Sequence, residues 1–145
     1  MRRTTIFDIA VLLLAATMSA HAATITITNT NDSGPGSLRQ ALAVVHDGDR
    51  ITFAVSGVIR LTSGGLVVAR NVTISGPGAN QLSIDGNQGP SVFSVDTIAT
   101  ISGLTIRNGS AGIENTGTLT VSNCVLSGNS TNGIANHALP PSHPA

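Results

Sequence analysis

The 145-residue chain contains no lysine, tryptophan or tyrosine and a single cysteine, Cys124. A lone cysteine cannot close an internal disulfide, so Cys124 reads as a small buried hydrophobe rather than a reactive thiol. Seven basic and seven acidic residues leave a formal net charge of zero, which excludes the basic stripe that nucleic acid or an anionic membrane demands. Beyond residue 22 the aromatics are Phe53 and Phe93 alone, while glycine, serine and threonine are abundant and apolar residues come in short β-branched clusters. That composition suits many short strands joined by tight turns and fits a helical bundle poorly. No apolar run reaches the roughly 20 residues needed to cross a bilayer, so no stable membrane span is expected. The run from Ile9 to Ala16, with Arg2 and Arg3 before it and Ala20-His21-Ala22 after it, reads instead as a secretory leader over residues 1–22. The chain also lacks a Gly-x-Ser-x-Gly elbow, paired histidines at metal spacing and a Cys-x-x-Cys pair. No catalytic residue, metal ligand or cofactor is therefore assigned from the sequence.

What is present is a repeat. Gly112-Ile113-Glu114-Asn115 returns as Gly133-Ile134-Ala135-Asn136, an offset of 133 − 112 = 21, and Thr100-Ile101-Ser102 returns as Thr120-Val121-Ser122, an offset of 120 − 100 = 20. Self-similarity at this period marks stacked supersecondary units, none of which can bury its apolar face alone.

Before the repeat, Thr24-Ile25-Thr26-Ile27-Thr28 alternates as a half-buried strand and leads into a turn cluster ending at Gly36. Ser37 and Gln40 have capping-box spacing, and Leu38, Ala41, Leu42 and Val45 form one helical stripe, predicting a helix over about 37–46. Its stripe can cover the open end of a stack. From Ile51 onward only short strands follow, three per unit, and the first two units are in step at Ile51/Val72 and Leu61/Leu82, offsets of 21. Three short strands per coil describe a parallel β-helix. The expected plan is an all-β protein: a cap over residues 23–50, about four coils over 51–136 and an irregular tail over 137–145.

Within the coils, Asn108 and Asn129, and Asn115 and Asn136, recur at offsets of 21 and are expected to form hydrogen-bonded ladders along the stack. A row of asparagines binding sugar hydroxyls is the functional alternative. Asp85 and Arg107 follow equivalent strand ends and are expected to pair at the surface. Asp96 and Glu114 stand alone in sequence, and Asp32, Asp47 and Asp49 read as turn residues. His46 falls near the end of the cap helix, as a partner for its dipole. Asn71, Asn108 and Asn129 each open an Asn-x-Ser/Thr triplet and are read as turn residues.

The stretch from Thr28 to Ala41, with its Ser37-Leu38-Arg39-Gln40-Ala41 core, followed by Gly48-Asp49-Arg50-Ile51-Thr52-Phe53, resembles the opening of bacterial exported right-handed parallel β-helix proteins, the polymorphic outer-membrane and autotransporter-passenger type. Gly117 to Cys124 and Leu126 to Ser130 are similar to the coil consensus of that family. The resemblance implies a right-handed, pectin-lyase-like solenoid and export to a periplasmic, outer-membrane, cell-surface or secreted location. Members of that family continue for many more coils, so the chain is expected to be a truncated fragment whose uncapped last coil could self-associate. Two functions follow: an adhesin-like surface scaffold binding a carbohydrate or host ligand, or, alternatively, a relative of a carbohydrate-active β-helix enzyme, a polysaccharide lyase or glycosidase. Lyases of this shape use clustered carboxylates holding calcium, and glycosidases a carboxylate pair.

Overall fold

The computed structural model describes residues 21–137; all but the last two residues of the expected leader, and the tail beyond His137, lie outside the described residues. The chain enters as strand β1 (Thr24–Ile27), forms helix α1 (Leu38–Val44) and then runs through twelve further strands. These fall into four coils of three: β2 (Asp49–Phe53), β3 (Gly57–Arg60) and β4 (Leu66–Val68); β5 (Val72–Ser75), β6 (Leu82–Gly89) and β7 (Phe93–Val95); β8 (Ile98–Ser102), β9 (Thr105–Gly109) and β10 (Ala111–Asn115); β11 (Thr118–Ser122), β12 (Val125–Ser127) and β13 (Asn132–Asn136).

Each strand pairs with its equivalent one coil away. The first sheet runs β1-β2-β5-β8-β11, the second β3-β6-β9-β12 and the third β4-β7-β10-β13. The pairings are parallel throughout. The fold is thus a parallel β-helix of four coils, to which β1 adds a fifth rung on one face.

Three apolar columns fill the interior because alternate side chains point inward and equivalent strands stack. Ile25, Ile51, Ile74, Ile101 and Val121 form the first. Ile59, Ile84, Ile106 and Leu126 form the second, and Leu66, Phe93, Ile113 and Ile134 the third. Ile51, Ile74, Ile84, Phe93, Ile101, Ile106 and Ile113 have no solvent exposure. Removing such a side chain from water is worth roughly 1.5–3 kcal/mol, so the columns are the dominant stabilising feature. Burial weakens toward the last coil, where Ile134 is 38% exposed.

Helix α1 closes the other end. Leu38, Ala41, Leu42 and Val45 are buried against the first coils. The Ser37 hydroxyl accepts from the Gln40 N–H at 3.2 Å, but the Ser37 N–H donates to the Gly34 carbonyl. The reciprocal half of the capping box is therefore absent, since the turn before the helix already satisfies that donor. The helix is also shorter than its stripe. Val45 is extended, with ψ 146, and the buried Asp49 carboxylate takes the N–H groups of His46 and Ala23 at 2.8 and 2.9 Å. That carboxylate ties the helix end, the entry strand and the first coil together, and the two backbone donors hold its pKa below the usual value. His46 is accordingly placed beyond the helix, its side chain 90% exposed and 3.8 Å from Asp49.

The register of the early coils differs from a uniform 21-residue repeat. Ile51 pairs with Ile74 (74 − 51 = 23) and Asp49 with Val72, so Val72 is not the equivalent of Ile51. Ile59 pairs with Ile84 (84 − 59 = 25) and Leu66 with Phe93 (93 − 66 = 27). The extra residues fall in the turns between strands and in the irregular stretch between Asp85 and Gly89. Between the last two coils two of the offsets read from sequence hold: Ile101 pairs with Val121 and Ile113 with Ile134.

Candidate functional site

The outer face of the third sheet carries charged side chains that have no partner among the described residues. Alternation buries Leu66 and Val68, Phe93 and Val95, and Ile113 and Asn115, and turns Val67, Ser94 and Glu114 outward. Register stacks Val67, Ser94, Glu114 and Ala135 in one outward column. Just past the strand ends, the Thr116 N–H donates to the Val95 carbonyl and the His137 N–H to the Asn115 carbonyl, both at 2.8 Å, so the same stacking continues into the turn. Asp96, Thr116 and His137 are all exposed there. A shallow groove of about 220 Å³ results, lined by Ser94, Asp96, Glu114, Thr116 and His137 and floored by Val67 and Val95.

Asp96 and Glu114, isolated in sequence, are thereby brought to one groove. Glu114 faces Ser94 across the ladder, and Asp96 lies two residues further on. A rise of about 3.3 Å per residue and an interstrand spacing of about 4.8 Å put their Cα atoms roughly 8 Å apart. Neither carboxylate has a hydrogen-bond or ion-pair partner among the described residues. The signal that could have found the pair was the offset of 113 − 93 = 20 between Phe93 and Ile113, which sets Glu114 against Ser94.

A larger cleft of about 530 Å³ adjoins this groove on the side of the cap, between α1 and β4. Leu42, Val44, Val45, Leu66 and Val67 give it apolar walls, and Val67 lines both cavities. Its charged or titratable residues are Arg39, His46 and Arg70, with no acid in the lining. Arg39 commits four of its five N–H donors: Nε and Nη2 bind the Asp32 carbonyl and carboxylate, and Nη1 and Nη2 bind the Gly65 and Gly64 carbonyls at 2.8 and 2.7 Å. The Arg70 guanidinium is exposed and makes no hydrogen bond or ion pair among the described residues, while the Arg70 carbonyl accepts from the Thr97 hydroxyl at 3.1 Å.

Asp32 is the most perturbed acid. Burial would raise its pKa, but hydrogen bonds from Ser63, Arg39 and the Thr62 N–H outweigh that and bring it from 3.8 down to about 2. The cluster clips the turn before α1 onto the loop between β3 and β4.

The second sheet carries a column of Arg60, Asp85 and Arg107. Arg107 Nε lies 3.3 Å from Asp85 Oδ2, while Arg60 turns to Asn87 Oδ1 at 2.6 Å. Burial pushes the Asp85 pKa up, but the Asn87 N–H, Asn108 and Arg107 together carry it below the usual value. Between Asp85 and Gly89 the register slips, with Asn87 and Gln88 in the left-handed region.

Of the two expected asparagine pairs, Asn115 donates from Nδ2 to Asn136 Oδ1 at 2.9 Å, and its own Oδ1 accepts from the Gly117 N–H. Asn108 and Asn129 do not meet. The local offset is 127 − 107 = 20, which sets Gly128 beside Asn108 and Asn129 beside Gly109. Asn108 instead donates to Asp85, and Asn129 accepts from the Gly109 N–H and donates to the Ile106 carbonyl. Their side chains are spent on the fold rather than offered to a ligand. Cys124 is only partly buried, its Sγ 3.8 Å from the Ile101 carbonyl, and burial raises its pKa.

Calcium, which lyases of this shape use, wants six to eight oxygen ligands. Among the described residues no three His, Cys, Asp or Glu side chains come together as an ion-holding set. The Asp96–Glu114 groove supplies two carboxylates and does not fit that ion. No described helix is long and apolar enough to cross a membrane.

No protein-family model and no solved structure matches the chain. It is similar to probable pectate lyase C of Aspergillus fumigatus, 47% identical over 64 residues, which is 42% of this chain and 14% of the relative. The corresponding protein of Neosartorya fischeri is 45% identical over 64 residues, with the same coverage. The chain therefore spans only 14% of the length of these curated relatives, and both are fungal. Likeness and architecture together support a parallel β-helix of the pectin-lyase-like kind.

Proposed function

We propose that the protein is an exported carbohydrate-binding β-helix, related to the polysaccharide lyases of this architecture, which holds a glycan along the outer face of its third sheet. The observation that carries the reading is the 47% identity to probable pectate lyases. It favours the carbohydrate-active alternative over the adhesin-like scaffold, for which the comparisons offer nothing. The groove suits the task. Ionised carboxylates accept hydrogen bonds only, so Asp96 and Glu114 are matched to sugar hydroxyls, with Ser94 and Thr116 able to donate or accept beside them. Because neither side chain has a partner among the described residues, binding breaks no contact there.

The test is affinity electrophoresis of the full chain through gels containing pectate, alginate, chondroitin or dextran, alongside absorbance assays for unsaturated sugar products. Retardation by at least one polysaccharide, reduced at least fivefold in Asp96→Asn/Glu114→Gln, is the expected result. Unretarded migration in every gel, with no product formed, overturns the reading.

A further inference from the structure

We infer that the end of the solenoid formed by the last coil is an interface for a second copy of this chain, and that two copies meet there end to end about a twofold axis. Among the described residues β11, β12 and β13 each stand last in their sheet, so each presents an edge of backbone N–H and C=O groups. The apolar columns open at the same level. Ile101, Ile106 and Ile113 have no solvent exposure, whereas their stacked equivalents Val121 and Leu126 are only partly buried and Ile134 is 38% exposed. Edges in this position are ordinarily blunted by charged side chains or proline. This coil has neither. Residues 118–136 contain no Asp, Glu, Lys, Arg or Pro, while the other coils carry Asp49, Arg50 and Arg60, then Asp85, then Arg107 and Glu114. Two copies of the face therefore meet without like-charge repulsion, and depletion of charge marks the core of protein interfaces. The coil from 118 to 137 supplies 137 − 117 = 20 residues, within the count per side of a standard interface of roughly 800 Å² per partner.

The opposite end of the stack does not offer this surface, because helix α1 covers it with Leu38, Ala41 and Leu42 buried beneath. Head-to-tail stacking is thus blocked, and the contact is isologous, closing at a dimer instead of growing into a filament. A twofold axis lying in the end face reverses the sense of the coil, so facing strands run antiparallel. Three such axes exist, one through the midpoint of each strand, and side-chain alternation chooses among them. The inward apolar positions are Leu119 and Val121 on β11, Leu126 on β12 and Ile134 on β13. With the axis through Thr120 at the midpoint of β11, Leu119 of one copy faces Val121 of the other. Strand β12 then faces β13, with Leu126 against Ile134, so every inward apolar residue meets another. An axis through β12 or β13 would instead set outward Thr120 against inward Ile134 or Leu126. Interfaces of this size begin at micromolar affinity, and dilute protein is monomeric, with Ile134 exposed as in the single chain.

The experiment is sedimentation equilibrium of the full chain from nanomolar to high micromolar concentration, with circular dichroism to check that each variant keeps the fold. A monomer–dimer equilibrium with a micromolar Kd is expected. Thr120 is exposed and lies on the axis, so Thr120→Lys sets two cations face to face and should raise the Kd at least tenfold. Ser83→Lys, outward in a middle coil, should leave it unchanged. In a Cys124→Ser background, Thr120→Cys should give a disulfide-linked dimer on air oxidation, whereas Ser127→Cys, which faces Gly133 of the other copy, should not. Growth of filaments, a Kd indifferent to Thr120→Lys, or equal cross-linking at the two positions overturns the inference. A full chain that stays monomeric also overturns it, and if a chain ending at His137 then dimerises, residues 138–145 are the occupant of the face.

Discussion

Arg39 Nη2 lies 2.9 Å from Asp32 Oδ1, and the same carboxylate oxygen accepts from the Thr62 N–H at 3.1 Å, which holds the turn before the capping helix against the loop that follows β3. The Asp32 carboxyl, at about 2 in the folded protein against 3.8 ordinarily, stabilises the fold in its ionised form. Its folded pKa is depressed, so the contribution is present above about pH 4 and is lost as the pH falls toward 2. Asp32→Asn should cost about 2 kcal/mol at neutral pH. Urea denaturation of parent and variant should show that gap closing between pH 4 and pH 2.

The aliphatic columns make a graded prediction. Ile84 and Ile106 are fully buried, whereas Ile134 is 38% exposed. Ile84→Ala or Ile106→Ala should therefore lose about 3–4 kcal/mol, and Ile134→Ala under about 1.5 kcal/mol, because only the first two leave a cavity. Thermal melts of the three variants decide it.

Gly128 offers a backbone test. Its φ is +63, and a Cβ added there would lie 2.7 Å from Asn108 Oδ1. Gly128→Ala should destabilise by about 1–2 kcal/mol from left-handed strain and this contact together. Removing the contact as well, in Gly128→Ala/Asn108→Gly, should recover part of that loss in the same denaturation assay.

The inward asparagine pair should also be measurable. Asn115 is 9% exposed and bonds both Asn136 and the Gly117 N–H. Asn115→Ala leaves the Gly117 donor unmatched and should cost about 1–3 kcal/mol. Asn136→Ala, at an exposed position, should cost less. Hydrogen exchange at the Gly117 amide should rise in the first variant and stay near the parent value in the second.

The outward charges should behave oppositely. The side chains of Asp96, Glu114 and Arg70 are exposed and bond nothing among the described residues. Neutralising any of them should shift stability by less than about 0.5 kcal/mol, so any loss of glycan binding in Asp96→Asn or Glu114→Gln reports on recognition.

The site was harder to read in the sequence than the fold, and Asp96 and Glu114 show why. Eighteen positions separate them (114 − 96 = 18), and they share a groove only because β7 and β10 stack with Glu114 opposite Ser94. Asn108 and Asn129 are the converse: an offset of 21 suggested stacking, and a true local offset of 20 separates them by one position. A one-residue slip moves a side chain to the opposite face of a strand.

The sequence by itself determined that the chain stacks on itself. Short β-branched clusters such as Val72-Thr73-Ile74 and Leu104-Thr105-Ile106 can bury an inward face only against their own repeats, and the Leu38, Ala41, Leu42 and Val45 stripe needs an apolar end to cover. Only the tertiary structure decided the register. Backbone hydrogen bonds lock strand to strand whatever the length of the turns between, so offsets of 23, 25 and 27 coexist with offsets of 20 in one solenoid. Turn length is thermodynamically inexpensive and strand alignment is not. For that reason, where Arg70, Asp96 and Glu114 come to rest was settled by the stack rather than by the spacing of the residues along the chain.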